Sequence, residues 1–219
     1  MATSTVEDYL KAIYLELHGS DQLLAMGKLA SAMQVTPGTA TAMVKALFDS
    51  GLVEYEPRSG VKLTRGGEQL ALHVLRRHRL VELFLVRILN LDWSEVHQEA
   101  EELEHAISEK VLEKIDALLG HPSVDPHGDP IPSSGGKVAS APTKRLTDCH
   151  PNETVRVSRV TDQNPGFLKF INRCGLMPGT QLNIEGFDDQ ADALAVRPEG
   201  KATITLGTAA AGKILVCAV

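Results

Sequence analysis

Three histidines and four acids recur in this chain at spacings that put them on shared helix faces. His78 and Glu82 are four residues apart, and side chains four apart on a helix lie one above the other. His97 and Glu101 repeat the interval, and Glu104 and His105 follow Glu101 at three and four residues. Asp8, early in the first expected helix, is a further acid that can join them. Imidazole nitrogen with carboxylate oxygen is a donor set that suits Mn²⁺ and Fe²⁺. A charged helix face in water carries the same residue types. The density argues for more: residues 81–120 hold ten acids against three bases, a net charge of −7 in a chain whose total is −6. A divalent cation offsets such repulsion.

These side chains need elements to hold them. Apolar Val6, Leu10, Ile13, Tyr14 and Leu17 predict a first helix, started by Ser4 or Thr5 and ended at Gly19. A short helix spans about Met26–Met33. A third opens at Thr36-Pro37, with proline at the tolerated first position, and stops at Gly51. LVEYEPRSGVKLT then reads as strand, turn and strand. A long helix from about Gly66 to Leu89 would carry His78 and Glu82. Another from Ser94 to about Glu104 would carry His97 and Glu101, and one more runs to Leu119. Residues 121–150 are rich in Pro, Gly and Ser and read as a linker. Beyond them, VRVSRV, TQLNIEGF, ALAVRP and KILVCAV alternate like short strands, with one helix near Pro165–Cys174.

Helix, short helix, turn, helix and hairpin is the order of a winged helix-turn-helix. Leu29, Ala30, Met33, Val35, Val44, Leu47 and Leu52 would form its small core. Thr36, Pro37, Gly38, Thr39 and Thr41 cluster at the start of the third helix, where small residues let a helix N-terminus approach phosphates and base edges. Lys28, Lys45, Arg58, Lys62 and Arg65 can reach backbone phosphates. The expected partner is double-stranded DNA, read largely by shape, because the third helix lacks the usual Arg, Asn and Gln readers.

Composition bounds the alternatives. The 219 residues are 43% hydrophobic and 4% aromatic, so the cores are expected to be aliphatic. No run approaches a membrane span, and the first residues lack the blocks of a signal peptide. Three scattered cysteines make neither a disulfide framework nor a zinc site, so the expected location is the cytoplasm. A non-enzyme is expected. A di-iron carboxylate bundle would need a second Glu-x-x-His besides Glu102-x-x-His105. A winged-helix regulator indifferent to metal would leave His78, Glu82, His97 and Glu101 without a shared purpose. Val111, Leu112, Ile115, Leu118 and Leu119 are candidates for a dimer surface. Trp93 reads as a packing anchor, and His18, His73, His121 and His150 as surface or structural.

The RRHRLVE and EVHQEAEELEH stretches, the PHGDPIP run, the winged helix and the terminal β-domain together resemble the diphtheria toxin repressor family of iron- and manganese-dependent regulators. The resemblance covers nearly the whole chain. It implies a mainly α fold with β: a winged helix-turn-helix at 1–65, a helical metal-binding and dimerisation domain at 66–125, a linker at 126–150, and a small FeoA-like β-barrel at 151–219. It further implies a homodimer on a palindromic operator, repressing genes of metal homeostasis. It implies two metal sites per chain: a regulatory set of Asp8, Glu101, Glu104 and His105, and an ancillary set of His78, Glu82 and His97. The linker or barrel would add Asp125 and His127, or Asp162, with Gln163 a further candidate. Iron-type members carry Met and Cys where this chain has Asp8 and Glu101, so Mn²⁺ is favoured, with Fe²⁺ the alternative. Short manganese regulators also have a Glu where this chain has Lys11, so the separated two-site arrangement is expected over their two-metal cluster.

Overall fold

The computed structural model describes residues 3–17, 20, 22–139 and 141–219. Gly19, the expected end of the first helix, and His18 lie outside the described residues. The chain divides into two compact units, with the boundary inside one long helix. One unit runs through His78 and includes Pro132–Lys137; the other comprises Arg79–Ile131 and Val138–Val219.

The first unit has the expected order: α1 (Ser4–Leu17), α2 (Met26–Ala32), α3 (Pro37–Asp49), β1 (Val53–Glu56), β2 (Gly60–Leu63) and the start of α4 (Arg65–Arg87). Leu10, Ile13, Leu29, Ala40, Val44, Leu47, Val53 and Val61 form its core. Met33, Val35 and Leu52 pack against this core half-buried. Thr36 caps α3 by accepting the Thr39 N–H at 3.2 Å, and Gly51 leaves the helix at φ +71°. β1 and β2 pair antiparallel from Val53↔Leu63 to Glu56↔Gly60. The hairpin is extended by an isolated bridge from Leu24 to Val61. Gly60 is required there, because a Cβ would strike the Leu24 carbonyl.

The second unit holds the rest of α4, then α5 (Val96–Glu104) and α6 (Glu109–Leu118). Leu80, Leu83, Leu112, Ile115 and Ile131 form one apolar cluster, and Val81, Leu85, Val96 and Ala100 another. Leu112 and Ile115 are therefore core, whereas Val111 and Leu118 on the same helix are exposed. The β-domain contains β3 (Lys144–Arg145), β4 (Thr154–Val160), α7 (Pro165–Cys174), β5 (Gln181–Asp188), β6 (Ala193–Pro198), β7 (Ile204–Gly207), α8 (Thr208–Ala211) and β8 (Ile214–Ala218). Its strands form one antiparallel sheet in the order β3-β8-β4-β5-β6-β7, open at both ends where a closed barrel was expected. β4 carries a register shift between Val157 and Arg159 against β8. No helix of the described residues is long and apolar enough to cross a membrane.

Candidate metal centre

The proline-rich stretch after α6 contains a folded loop. Ile131 N–H donates to the Ser123 carbonyl at 2.9 Å, and Asp125 N–H to that of Asp129 at 2.9 Å. Asp125 Oδ1 accepts two further backbone N–H groups, from His127 at 2.8 Å and Asp129 at 2.9 Å. Val160 N–H donates to the His127 carbonyl at 2.9 Å, which fastens the loop to the shifted part of β4. Gly128 makes this approach feasible: its φ is +88°, and a Cβ would collide with the Ser158 carbonyl. Asp125, His127 and Asp129 are all buried in consequence.

The loop delivers two donor atoms to the α4 carboxylate of Glu82. His127 Nε2 lies 2.8 Å from the Trp93 carbonyl oxygen, which can only accept, so Nε2 carries the hydrogen. His127 Nδ1 then faces Glu82 Oε2 at 3.7 Å, too far for a hydrogen bond. This Nδ1 and Asp125 Oδ2 are buried without a hydrogen-bond partner. Arg79 Nε lies 3.7 Å from Asp125 Oδ2. One donor atom from each of Glu82, Asp125 and His127 lies within 4.8 Å of the others, and all three residues are buried. Orphaned buried acceptors of this kind cost free energy unless positive charge is placed among them.

The electrostatics of the centre agree. Burial pushes the Asp125 carboxyl up to about 7, with the like charges of Asp129 and Glu82 adding to it and His127 and Arg79 opposing. Burial works to lower His127, but the nearby carboxylates of Glu82 and Asp125 outweigh it and hold this imidazole above its ordinary value. The donor set of one imidazole and two carboxylates fits a divalent cation of the Mn²⁺ or Fe²⁺ type.

The other face of Glu82 is occupied as well. His97 Nδ1 lies 3.1 Å from Glu82 Oε1, and His97 Nε2 lies 3.6 Å from Glu101 Oε1. One turn on, His105 Nε2 is 3.4 Å from Glu104 Oε1, with Glu104 fully buried. His78 is buried on α4, one turn before Glu82, and Asp8 is half-buried on α1. Asp162, the remaining expected ligand, lies beside a lysine. Its Oδ2 meets Lys213 Nζ at 2.6 Å, and this contact holds its carboxyl below the usual range. Gln163 donates to Asp129 Oδ2 at 2.9 Å.

Asp129 is the residue that sequence reasoning missed. It is 2% exposed and lies between the guanidinium groups of Arg79, at 3.4 Å, and Arg159. Arg79 also donates to the Pro130 carbonyl at 2.5 Å. The only signal in the sequence was its place in DPHGD, two residues after His127.

In the first unit, Thr36, Pro37, Gly38, Thr39, Lys28, Lys45 and Arg58 are exposed, while Thr41 and Lys62 are half-buried. Lys62 approaches Glu54 at 3.3 Å across the hairpin, and Thr41 donates to the Pro37 carbonyl at 2.7 Å. Arg58 sits at the hairpin tip with φ +72°.

A winged helix with an open helix N-terminus, followed by helices bearing imidazole and carboxylate, defines a metal-dependent DNA-binding regulator. The chain belongs to the iron-dependent (diphtheria toxin) repressor family. The iron dependent repressor N-terminal DNA binding domain matches residues 1–61. The metal binding and dimerisation domain of the same family matches 64–133, and the FeoA domain matches 144–217. The iron-dependent repressor IdeR of Mycobacterium leprae is 31% identical over 194 residues, covering 83% of this chain and 84% of that protein. A regulator of the HTH type from Methanocaldococcus jannaschii is 36% identical over 117 residues, covering 53% of this chain and 94% of its own length. Among solved structures, a manganese-dependent transcriptional repressor in complex with manganese superposes with a TM-score of 0.87 at 37% identity, covering 98% of this chain and 100% of that one. IdeR of T. acidophilum superposes at 0.76 with 29% identity, covering both chains fully.

Proposed function

We propose that this protein is a transcriptional repressor that binds double-stranded DNA as a homodimer when a divalent cation, Mn²⁺ in preference to Fe²⁺, is bound. The observation that carries the reading is the pair of orphaned buried acceptors, His127 Nδ1 and Asp125 Oδ2, gathered around Glu82 in a chain of this family. Hard donors throughout, with Asp8 and Glu101 where softer ligands would favour iron, support Mn²⁺. The manganese complex of a 37% identical repressor agrees.

The regulatory set is Asp8, Glu101, Glu104 and His105. The ancillary set is His78, Glu82 and His97, joined by Asp125 and His127. When bound, the cation supplies the positive charge that lets these carboxylates share a small volume. Asp8 belongs to α1 of the DNA-reading unit, Glu101 and Glu104 to α5, and His105 to the C-cap of α5. Their joint ligation favours the arrangement that matches two recognition helices to half-sites about one DNA turn apart. Thr36, Gly38 and Thr39 present the α3 N-terminus to the groove. Lys28, Lys45, Arg58 and Lys62 meet phosphates. Val111 and Leu118, 48% and 62% exposed, supply apolar surface for the second copy.

The test is a selection of random duplexes by the full-length protein in Mn²⁺, followed by retesting in chelator, Fe²⁺ and Zn²⁺. Palindromic sites bound at least ~10-fold more tightly with Mn²⁺ than with chelator are expected, within the usual range of allosteric coupling. Equal binding in chelator would mean a metal-independent regulator.

A further inference from the structure

The corner between α4 and α5 is built to present one side chain. Asp92 Oδ1 accepts the Ser94 N–H at 2.8 Å, and the Glu95 N–H donates to the Asp92 carbonyl at 3.0 Å. An aspartate that bonds the backbone two residues on makes a tight turn. Trp93 stands at its apex. On a helical domain standing alone, a tryptophan there would lie open to water, yet Trp93 is 4% exposed. It belongs to the apolar cluster of the β-domain, with Val160, Leu168, Ile171 and Ile214. Among the described residues it is the one buried member of that cluster from outside residues 146–216. Val86, near the end of α4, packs against the same cluster half-buried.

Polar contacts surround the tryptophan. Lys169 Nζ of α7 meets Glu95 Oε1 at 2.6 Å. Arg159 and Gln163 reach Asp129, and the Val160 N–H donates to the His127 carbonyl. The His127 ring stacks on Trp93, with 5.4 Å between centroids and 27° between planes. An aromatic anchor in a desolvated pocket, ringed by polar contacts, is the anatomy of a stable interface between separate molecules. The covalent connection is of another kind. It runs through residues 132–143, of which 133–135 and 137–139 are exposed.

We infer that the β-domain is joined to the helical body by a plug and socket, with Trp93 as the plug, and that this joint holds without the chain that connects the two. The surface that the β-domain binds is therefore the α4–α5 corner of its own chain. A short flexible tether supplies an effective concentration on the order of millimolar, so even a weak contact would persist in the intact chain. A buried tryptophan does more, because aromatic side chains remove ~150–250 Å² each from water and dominate interface energetics. The joint also gives the terminal domain a task. Its socket for Trp93 and its Ser158–Val160 backbone close over the loop, so the β-domain is the wall that keeps water from Asp125, His127 and Asp129. None of this depends on a bound cation.

The test cuts the tether. A recognition sequence for a site-specific protease is inserted between Lys137 and Val138 of the full-length protein, exposed positions of the kind that tolerate insertion. The cut protein is run on size-exclusion chromatography in chelator at micromolar concentration, about a thousandfold below what the tether supplied. The two pieces are expected to co-elute, and Trp93, the single tryptophan, should keep the fluorescence of the uncut protein. Trp93→Ala is expected to release them at least ~10-fold more readily, the scale of truncating an interface hot spot. Trp93→Phe should weaken the joint by a smaller factor. Circular dichroism checks that each cut variant is folded; if Trp93→Ala is not, Trp93→Phe carries the comparison. Lys169→Glu should matter far less, since exposed ion pairs contribute little. If the wild-type pieces separate, the tether alone holds the β-domain and the inference falls. If the tryptophan variants stay together as firmly as the wild type, Trp93 is not the plug. Working in chelator keeps either failure distinct from a failure to bind Mn²⁺.

Discussion

His127 Nδ1 and Glu82 Oε2 confront each other across 3.7 Å in the protein interior, with both side chains at most 1% exposed. A neutral imidazole lone pair and a carboxylate repel, and the Trp93 carbonyl already holds the hydrogen on the other ring nitrogen. Positive charge at Nδ1 relieves this contact, and Glu82 with Asp125 accordingly holds the imidazole above its ordinary value. The relationship joins α4 to a loop far along the chain.

Asp8→Ala and Glu104→Ala are each expected to abolish the Mn²⁺ stimulation of DNA binding while leaving the dimer folded. Fluorescence anisotropy with a selected duplex reads the first property and sedimentation the second. A wild-type response to Mn²⁺ in both variants would remove these residues from the regulatory set.

Gly128→Ala should loosen the ligand loop, because the new methyl strikes the Ser158 carbonyl at a backbone position with φ +88°. Strain of this kind costs about 1–3 kcal/mol. Urea denaturation of the metal-free protein measures it, and the same variant should bind Mn²⁺ more weakly by the Trp93 signal.

Asp129→Asn removes a buried negative charge from between Arg79 and Arg159. Uncompensated buried cations make such changes costly, roughly 3 kcal/mol or more. The prediction is a lower urea midpoint, with Asp129→Ala no more stable than Asp129→Asn because it loses the Gln163 hydrogen bond too.

Thr36→Ala deletes the acceptor for the Thr39 N–H at the start of α3. About 1 kcal/mol of stability should be lost, the usual value for an N-cap. DNA affinity should fall with it, whereas Mn²⁺ stoichiometry by dialysis should be unchanged.

Asp92 contributes a pH dependence. The Ser94 hydroxyl, 2.5 Å from Oδ1, and the Ser94 N–H at 2.8 Å hold this carboxyl below its ordinary value. A depressed carboxylate stabilises the fold above its unfolded pKa of about 3.9, and the contribution disappears as pH falls through the folded value. Ser94→Ala should therefore move the acid-unfolding transition to higher pH, as followed by circular dichroism. An unchanged acid limb would show that Asp92 gains nothing from Ser94.

Local chemistry was legible where it was local. The periodicity of Val6, Leu10 and Ile13, the Thr36-Pro37 start and the Gly51 stop specify helices, because capping and amphipathic spacing act within a turn or two. The i, i+4 relation of His97 and Glu101 follows from helix geometry alone, and these side chains do approach each other. The proline-rich stretch misled because its composition is that of a linker, yet Asp125, His127 and Asp129 are buried. Val111 and Leu112 looked equivalent in sequence, but only Leu112 reaches a core.

The sequence alone thus determined the order of elements, the faces of the helices and the donor chemistry, since each depends on neighbours along the chain. Tertiary structure decided which oxygen of Glu82 meets which histidine, that Lys213 claims Asp162, and that Asp129 is the anchor of the ligand loop. Those choices depend on the backbone bond from Val160 to His127 and on the space left at Gly128, contacts between segments whose separation along the chain carries no periodic signal.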